Sequence, residues 1–479
     1  MTVARSFGRR SSPVWVVALA SAAFFMSALD LLVVMTALPA MQRQFGAGLA
    51  TLQWTVNAYS LASAAGIITA AALADRLGRR LVFVSGLVLF TSASAACALA
   101  PAAEFLIGAR AVQGVGAALL APTSLTILAS AFPPERRGAI VGIWGGLGGL
   151  AIAAGPLVGG AVTQGLSWHW IFWVNVPIGV VAAALSCLRL AESRGPATQL
   201  DIPAVALVSA GATGVVFGLV RAAALGWGAP QVVGSLVLGV LLLAGFAVWE
   251  RRTPEPMLPP RLFRRREFVA ANISTFLTSA SLLGAAFLVS QYLQVVQGSS
   301  PLLAGLRFLP MTATPLVVSP AAGMLSDRVG RRPVMMVGLV LLAVGLGWLA
   351  LVATAGADYG PLVLPLLVAG AGVSMSFATA PSAALSAVSP ADMGKASGAN
   401  GTFQRFGAAF GIAVATAIFT ANGQMTTAAG FTAGMRPALG AAAALALVGA
   451  AAALGVSGRR RSPAPSTPPV AVPAGAVSR

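Results

Sequence analysis

Asp30 is the only Asp or Glu set deep within one of the long apolar runs of this 479-residue chain. A charge at such a depth costs on the order of 3 kcal/mol on insertion scales, so its presence calls for a reason. A carboxylic acid in a low-dielectric cavity can take up and release a proton as the cavity opens and closes. Two other readings use the same residue: a carboxyl satisfied by a neighbouring helix or cation, and a direct ligand for a cationic solute. Arg110 is the partner to consider. Counting 1.5 Å per residue from the ends of the apolar runs places both groups beneath the same membrane face, where they could share one layer. An arginine does not deprotonate, so its part would be to tune the acid and to hold a polar network with Gln113. The alternative is an arginine that snorkels to the interface along its own stem.

Other polar and aromatic side chains inside apolar runs are candidates for lining a cavity. They are Gln53, Trp54, Asn57 and Tyr59 in one run, Asn272, Gln291, Tyr292 and Gln294 in another, and Asn400, Gln404 and Arg405 in a third. An apolar cavity with a few hydrogen-bonding groups accepts bulky amphipathic molecules loosely. Trp54 and Tyr292 suit an interfacial aromatic belt equally well. Arg307 reads as a snorkelling residue and His169 as a surface histidine. Cys97 and Cys187 each lie in an apolar run with no CxxC or Cys/His cluster, which reads as buried, inert thiols. Gly142, Gly145, Gly146, Gly148, Gly149, Gly155, Gly159 and Gly160 fall at three- and four-residue spacing on one helix, which Pro156 would bend. Such a stripe lets backbones approach closely, either as a surface that rocks and seals or as a static interface.

The elements that position these groups are membrane helices. The chain is 57% hydrophobic and only 9% charged, whereas soluble globules carry about a quarter charged residues. It reads as an all-α integral membrane protein. The net charge of +18 is dispersed in short clusters between apolar runs, the pattern of membrane orientation rather than of nucleic-acid binding. Spans are expected at 14–39, 52–74, 81–100, 104–131, 138–163, 171–190, 202–223, 230–249, 268–296, 302–325, 334–354, 361–388, 401–420 and 437–457, fourteen in all, each about 20 residues or longer. The first run is long and contains Asp30, unlike a cleavable signal peptide.

Two stretches, Ala74-Asp75-Arg76-Leu77-Gly78-Arg79-Arg80 and Ser326-Asp327-Arg328-Val329-Gly330-Arg331-Arg332, nearly repeat at a distance of 252 positions. Each would be a tight cationic loop between the second and third helices of a six-helix half. Halves of about 190 residues would set the copies about 190 apart, and an extra helical hairpin at 202–249 accounts for the difference. The expected organisation is a cytoplasmic segment 1–13, a six-helix bundle 14–190, a linker 191–267 that contains the hairpin, a second six-helix bundle 268–457, and a disordered cytoplasmic tail 458–479. Placing the amino terminus in the cytoplasm leaves only Arg43, Arg221 and Arg436 outside, so both termini are expected inside.

Five motifs in order resemble the major facilitator superfamily, and the fourteen-helix count is similar to its drug:proton antiporter branch. Gly323 to Arg332 fits the superfamily's loop motif, and the first copy carries Ala71 where that pattern begins with glycine. Leu29-Asp30 through Ala37-Leu38-Pro39 is similar to the first-helix motif. Arg110 to Ala118 resembles the fourth-helix motif. Gly155-Pro156-Leu157-Val158-Gly159-Gly160 resembles the fifth-helix antiporter motif, with Ala151 in place of its leading glycine. Trp168 to Gly179 is similar to the signature of the fourteen-helix branch, with His169 where arginine is usual.

The resemblance implies a major facilitator fold of two six-helix bundles plus the extra hairpin. It also implies Asp30, Arg110 and Gln113 as the proton-coupling group, and Gly155, Pro156, Gly159 and Gly160 as an antiporter helix. Asp75, Arg76 and Arg79 with Asp327, Arg328 and Arg331 form its cytoplasmic gate, where a carboxylate can pair with Arg79 or Arg331 and cap a facing helix. Asn57, Tyr59, Gln291, Tyr292, Gln294 and Gln404 are the substrate-binding candidates.

The function expected is proton-coupled efflux of small amphipathic drugs or antibiotics by alternating access, with protons as coupling ion and no cofactor or metal. The alternative is export of an endogenous metabolite or secondary product, and more remotely a non-transporting membrane sensor. No GxxxxGK[ST] nucleotide signature occurs, so the energy would come from an ion gradient. One histidine and no His/Asp/Ser constellation argue against an enzyme, and the absence of a charged ring or re-entrant filter argues against a channel. A monomer in the lipid bilayer is expected, because each half supplies the other's interface.

Overall fold

The structure is a computed structural model that describes residues 12–132, 147, 150–151, 154–194, 201–254, 256, 259–389 and 392–457. The regular elements among those residues are all helical, with no strand among them. Helix α1 (Pro13–Phe45) opens on a proline, whose missing N–H is no loss at a helix start, and closes on Gly46 in the left-handed region at φ 61°. It passes through Pro39 and runs on to Phe45 rather than ending at 39. Asp30 therefore sits near its middle, deeper than the count from position 39 suggested.

Helices α2 (Leu49–Leu77), α3 (Arg79–Ala98) and α4 (Ala103–Ala131) follow. Next come α5 (154–165), the single turn α6 (Trp170–Trp173) and α7 (Asn175–Arg189). The hairpin is α8 (Ile202–Leu225) and α9 (Pro230–Arg252), followed by the short α10 (Pro260–Phe263). The remaining elements are α11 (Arg266–Gln291) with a π-helical turn at Tyr292–Val296, α12 (Pro301–Thr312), α13 (Thr314–Val329), α14 (Arg331–Val352), α15 (Gly360–Ser386), α16 (Met393–Asn422) and α17 (Ala428–Ala453). The span expected at 302–325 is broken at Ala313, just before Pro315, where a proline cannot donate the helical bond.

Twelve helical segments among the described residues are long and apolar enough to cross a bilayer, or thirteen with the bent α2. Half of the span expected at 138–163 lies outside the described residues, and with it Gly142, Gly145, Gly146, Gly148 and Gly149; α5 represents most of the rest. Segments 1–11 and 458–479 also lie outside.

The repeated loops adopt the same local shape. Gly78 (φ 125°) and Gly330 (φ 96°) are each the single residue between one helix and the next. A side chain there would be strained, which explains the glycine in both copies. Arginine-rich loops α2–α3, α9–α11 and α13–α14 share one end of the bundle, called here the basic end.

In the first half α2 and α3 pack on α4, and α7 on α3; in the second, α11 packs on α15, α16 and α17, and α14 on α15 and α17. The hairpin α8–α9 lies over the seam where α16 meets α2, with α8 touching both. Trp54 of α2 packs on Phe217 of α8 at 6.1 Å between ring centres.

Candidate functional site

Asp30 is 1% exposed and stands at the centre of a buried polar cluster contributed by α1, α3, α4 and α7. The Arg110 guanidinium donates through Nη1 to Asp30 Oδ2 and, at 2.7 Å, to Gln113 Oε1; its Nε donates to the Thr55 carbonyl at 3.1 Å. Gln113 Nε2 donates to Asp30 Oδ1 at 3.0 Å and to Ser94 Oγ at 3.1 Å. Asn175 Nδ2 reaches the same two acceptors, at 3.4 Å and 3.1 Å. Arg110 is thus a buried ion-pair partner and not a snorkelling residue. The spacing of Arg110 and Gln113, one helical turn apart, turns both toward α1.

Packing holds the cation in place. Tyr59 lies 4.3 Å from the Arg110 guanidinium, measured to its ring centre, and Phe172 lies 5.7 Å away. Tyr59 Oη donates to the Ser27 carbonyl at 2.8 Å. A Cβ on Gly114 would run into the Tyr59 backbone, so the fourth-helix glycine lets α4 carry Arg110 against α2. From the other half, Arg405 of α16 approaches the same Tyr59 ring at 5.6 Å.

Ser94 and Asn175 are the members of this cluster that the sequence did not single out. Asn175 opens α7 within the Trp168–Gly179 stretch, and a polar residue at the start of an apolar run was the available signal. The lone hydroxyl of Ser94 gave none.

The substrate candidates divide. Asn57 and Gln291 are fully buried, and neither amide finds a hydrogen-bond partner. Gln53, one turn from Asn57 on α2, is in the same condition. Gln404 is half-buried on α16. The Tyr292 hydroxyl donates to the Thr354 carbonyl at 2.7 Å, fastening the end of α11. Gln294 donates to the Thr36 carbonyl at 2.9 Å and is part of a seal between halves. Asn400 binds Asn272 and Thr275, clamping α16 to α11.

That seal occupies the end opposite the basic loops. Ser290 Oγ donates to the Met35 carbonyl at 3.0 Å, and the Leu302 N–H donates to Gln164 Oε1 at 3.2 Å. Glycines bring the backbones together. A Cβ on Gly155 or Gly159 would strike α1 at Leu32 or Val33, one on Gly160 would strike the Pro301 backbone, and one on Gly305 the Pro156 backbone. Pro156 is therefore the surface against which Gly305 closes. His169 lies at this end, stacked on Trp168 at 3.8 Å, and burial lowers its pKa below the usual histidine value.

Among the described residues, no ion pair at the basic end joins one half to the other. Arg79 binds Asp75 through Nη2 at 3.0 Å, and the Glu192 carboxylate accepts from the N–H groups of Arg80 (2.9 Å) and Leu81 (3.1 Å), capping α3. Arg331 donates to Ser386 Oγ at 2.7 Å, and Arg76, Asp327 and Arg328 are exposed. Cys97 is buried, but Cys187, expected to be buried, is exposed on the outward side of α7. No cluster of His, Cys, Asp or Glu suited to a metal ion occurs among the described residues.

A duplicated helical architecture with a buried acid–arginine pair agrees with the comparisons. The family model described as Major Facilitator Superfamily matches residues 20–314 and 271–478. The chain belongs to the major facilitator superfamily. Among curated members, a tetracenomycin C resistance and export protein of Streptomyces glaucescens is 36% identical over 71% of this chain and 63% of its own length, so the match spans under two thirds of that relative. A methylenomycin A resistance protein of Streptomyces coelicolor is 34% identical over 85% of this chain and 86% of the relative. The multidrug resistance protein Stp of Mycobacterium tuberculosis is 34% identical over 83% of this chain and 74% of its own. A crystal structure of peptide transporter POT with sulfate shares the fold at TM-score 0.67 and 18% identity, covering 94% of this chain and 95% of that one. A bacterial homologue of the lysosomal transporter Spinster does so at TM-score 0.66 and 16% identity, covering 92% and 96%.

Proposed function

We propose that this superfamily member is a proton-coupled exporter of small amphipathic organic compounds, drugs or antibiotics among them, of the fourteen-helix type. It works as a monomer, with both termini and the basic end in the cytoplasm. The observation that carries the reading is the Asp30–Arg110–Gln113 cluster, set in the same stretch of α1 whose next turns meet the other half. Asp30 lies less than two turns from Met35 and Thr36, the carbonyls that accept from Ser290 and Gln294. Protonating Asp30 removes the charge that holds Arg110, which loosens α1 against α4. Reforming the pair restores the position in which α1 meets α11. A proton can thereby be exchanged for a substrate as the halves rock.

The conformation supports the same scheme. Among the described residues, hydrogen bonds between the halves gather at the end opposite the basic loops, with Thr402 to the Ala64 carbonyl (3.4 Å) as the exception near the hairpin. With the basic end inside, this is an inward-facing state. The relatives named for resistance to and export of antibiotics support the substrate class.

The test is efflux from proteoliposomes of controlled orientation, loaded with lipophilic cations or neutral antibiotics, with and without an imposed pH gradient. Gradient-driven transport should vanish in Asp30→Asn while the protein still purifies as a single species. Unchanged transport in that variant would remove Asp30 from the coupling step.

A further inference from the structure

Between the hairpin and α16 lies a cavity of about 850 Å³ that the transport scheme does not use. Its walls are apolar: Val215 and Leu243 from the hairpin, Phe276 from α11, and Phe403, Phe406 and Phe410 from one face of α16. Its mouth is at the basic end, where Arg251 from the last turn of α9 and Arg264 after α10 line it, with Glu250 beside them. Glu250 is 3% exposed, whereas both arginines are exposed. Among the described lining residues, two guanidinium groups against one carboxylate leave the mouth with a surplus positive charge.

The shape matches one chemical class. Along α16 the lining runs from Ala399 to Phe410, about 16 Å at the helical rise. Half of a bilayer's hydrocarbon core is about 15 Å. The cavity is thus as long as one leaflet is deep, and the α9 helix that walls it also exposes Val237, Leu238, Val240 and Leu241. A cationic mouth at the headgroup level above a slot lined with phenylalanine suits a lipid better than a compact solute, which would leave the length of the slot empty. Guanidinium forks match phosphate oxygens in geometry, and basic pockets between membrane helices hold anionic headgroups.

We propose that this cavity binds an anionic glycerophospholipid of the adjacent leaflet, with its phosphate on Arg251 and Arg264 and an acyl chain along Phe403, Phe406 and Phe410. The lipid would add to the contacts by which α8 and α9 already meet α16 and α10.

The experiment is native mass spectrometry of the delipidated full chain after titration with phosphatidylglycerol or phosphatidylcholine of matched acyl chains. Phosphatidylglycerol should be retained at least about fivefold more than phosphatidylcholine, the factor expected from roughly 1 kcal/mol for the one net positive charge that the two arginines and Glu250 leave near the headgroup. Arg251→Gln/Arg264→Gln should bring it down to the phosphatidylcholine level, and Ala212→Phe, which fills the slot without changing charge, should release both lipids. Arg332→Gln, at the same end but off the cavity, should leave retention as it is. Equal retention of the two lipids by the wild type, or retention undisturbed in the double arginine variant, overturns the proposal. So does a loss in Arg332→Gln as large as in the pair, which would mark a general surface attraction. Should Ala212→Phe fail to purify, the arginine pair decides, because both side chains are exposed.

Discussion

Asp30 and Arg110 are more informative together than either is alone. A buried pair adds little net stability, yet removing one partner strands the other charge at a cost of roughly 3–5 kcal/mol. Arg110→Gln should therefore destabilise the protein strongly, and Asp30→Asn should too, while Asp30→Asn/Arg110→Gln should unfold later than the sum of the single effects predicts. A thermal-melt double-mutant cycle measures this, and additive losses would show that the two charges do not depend on each other. Residue types announced this pair, because an acid and an arginine inside apolar runs have few explanations. Ser94 and Asn175 could not be read in the same way, since an isolated hydroxyl or amide is common in membrane helices. Tyr292 and Gln294 hold carbonyls in this structure, which the sequence could not show: from sequence, a polar side chain near the end of a span looks the same whether it faces a ligand or a neighbouring carbonyl.

Helix faces decide whether the seal opposite the basic end can close. Gly160 lies against the Pro301 backbone and Gly305 against that of Pro156, so neither neighbour can yield by turning a side chain. Gly160→Val should hold that end apart. A cysteine placed at Leu302 in a Cys97→Ser/Cys187→Ser background should then react with an impermeant thiol reagent at least about tenfold faster, and unchanged labelling would show that α5 can shift as a unit. The hairpin has its own clasp. Asp201 caps α8 by accepting from the Ala204 N–H at 3.0 Å, and it also accepts from Trp249 Nε1 at 2.8 Å. Asp201→Ala removes a cap and a cross-helix bond, and should cost about 1–2 kcal/mol of local stability. Faster amide exchange confined to the first turns of α8 would report it; uniform exchange across the chain would not fit a local clasp. The close packing of Gly155, Gly159 and Gly160 was legible in their spacing, but which helices they meet depended on topology that spacing alone does not encode. The π-turn after Gln291 and the break at Ala313 were equally hidden, because apolar composition fixes the length of a span and not its internal geometry.

For the molecule as a whole, the two basic loops foretold a duplicated architecture, and the shared left-handed glycine at Gly78 and Gly330 is its physical trace. Alternating access requires the seal opposite the basic end to open in every cycle. In the same cysteine-free background, Thr36→Cys/Gln294→Cys joined by a short bifunctional thiol reagent should stop transport, and a reducible version should restore it on cleavage. Full activity in the cross-linked protein would mean that the halves need not part there. The hairpin bears on the same movement. Leu61 of α2, Val216 and Leu219 of α8, and Ala409 and Ala413 of α16 form one apolar cluster, so α8 is fastened to both halves at once. A slab fixed to both covers of a book can survive its opening only along the spine. While these contacts persist, displacement must be least beside α8 and grow across the width of the molecule, to be greatest on the flank where α5 meets α12. The transporter would then open as a fan opens, from one edge.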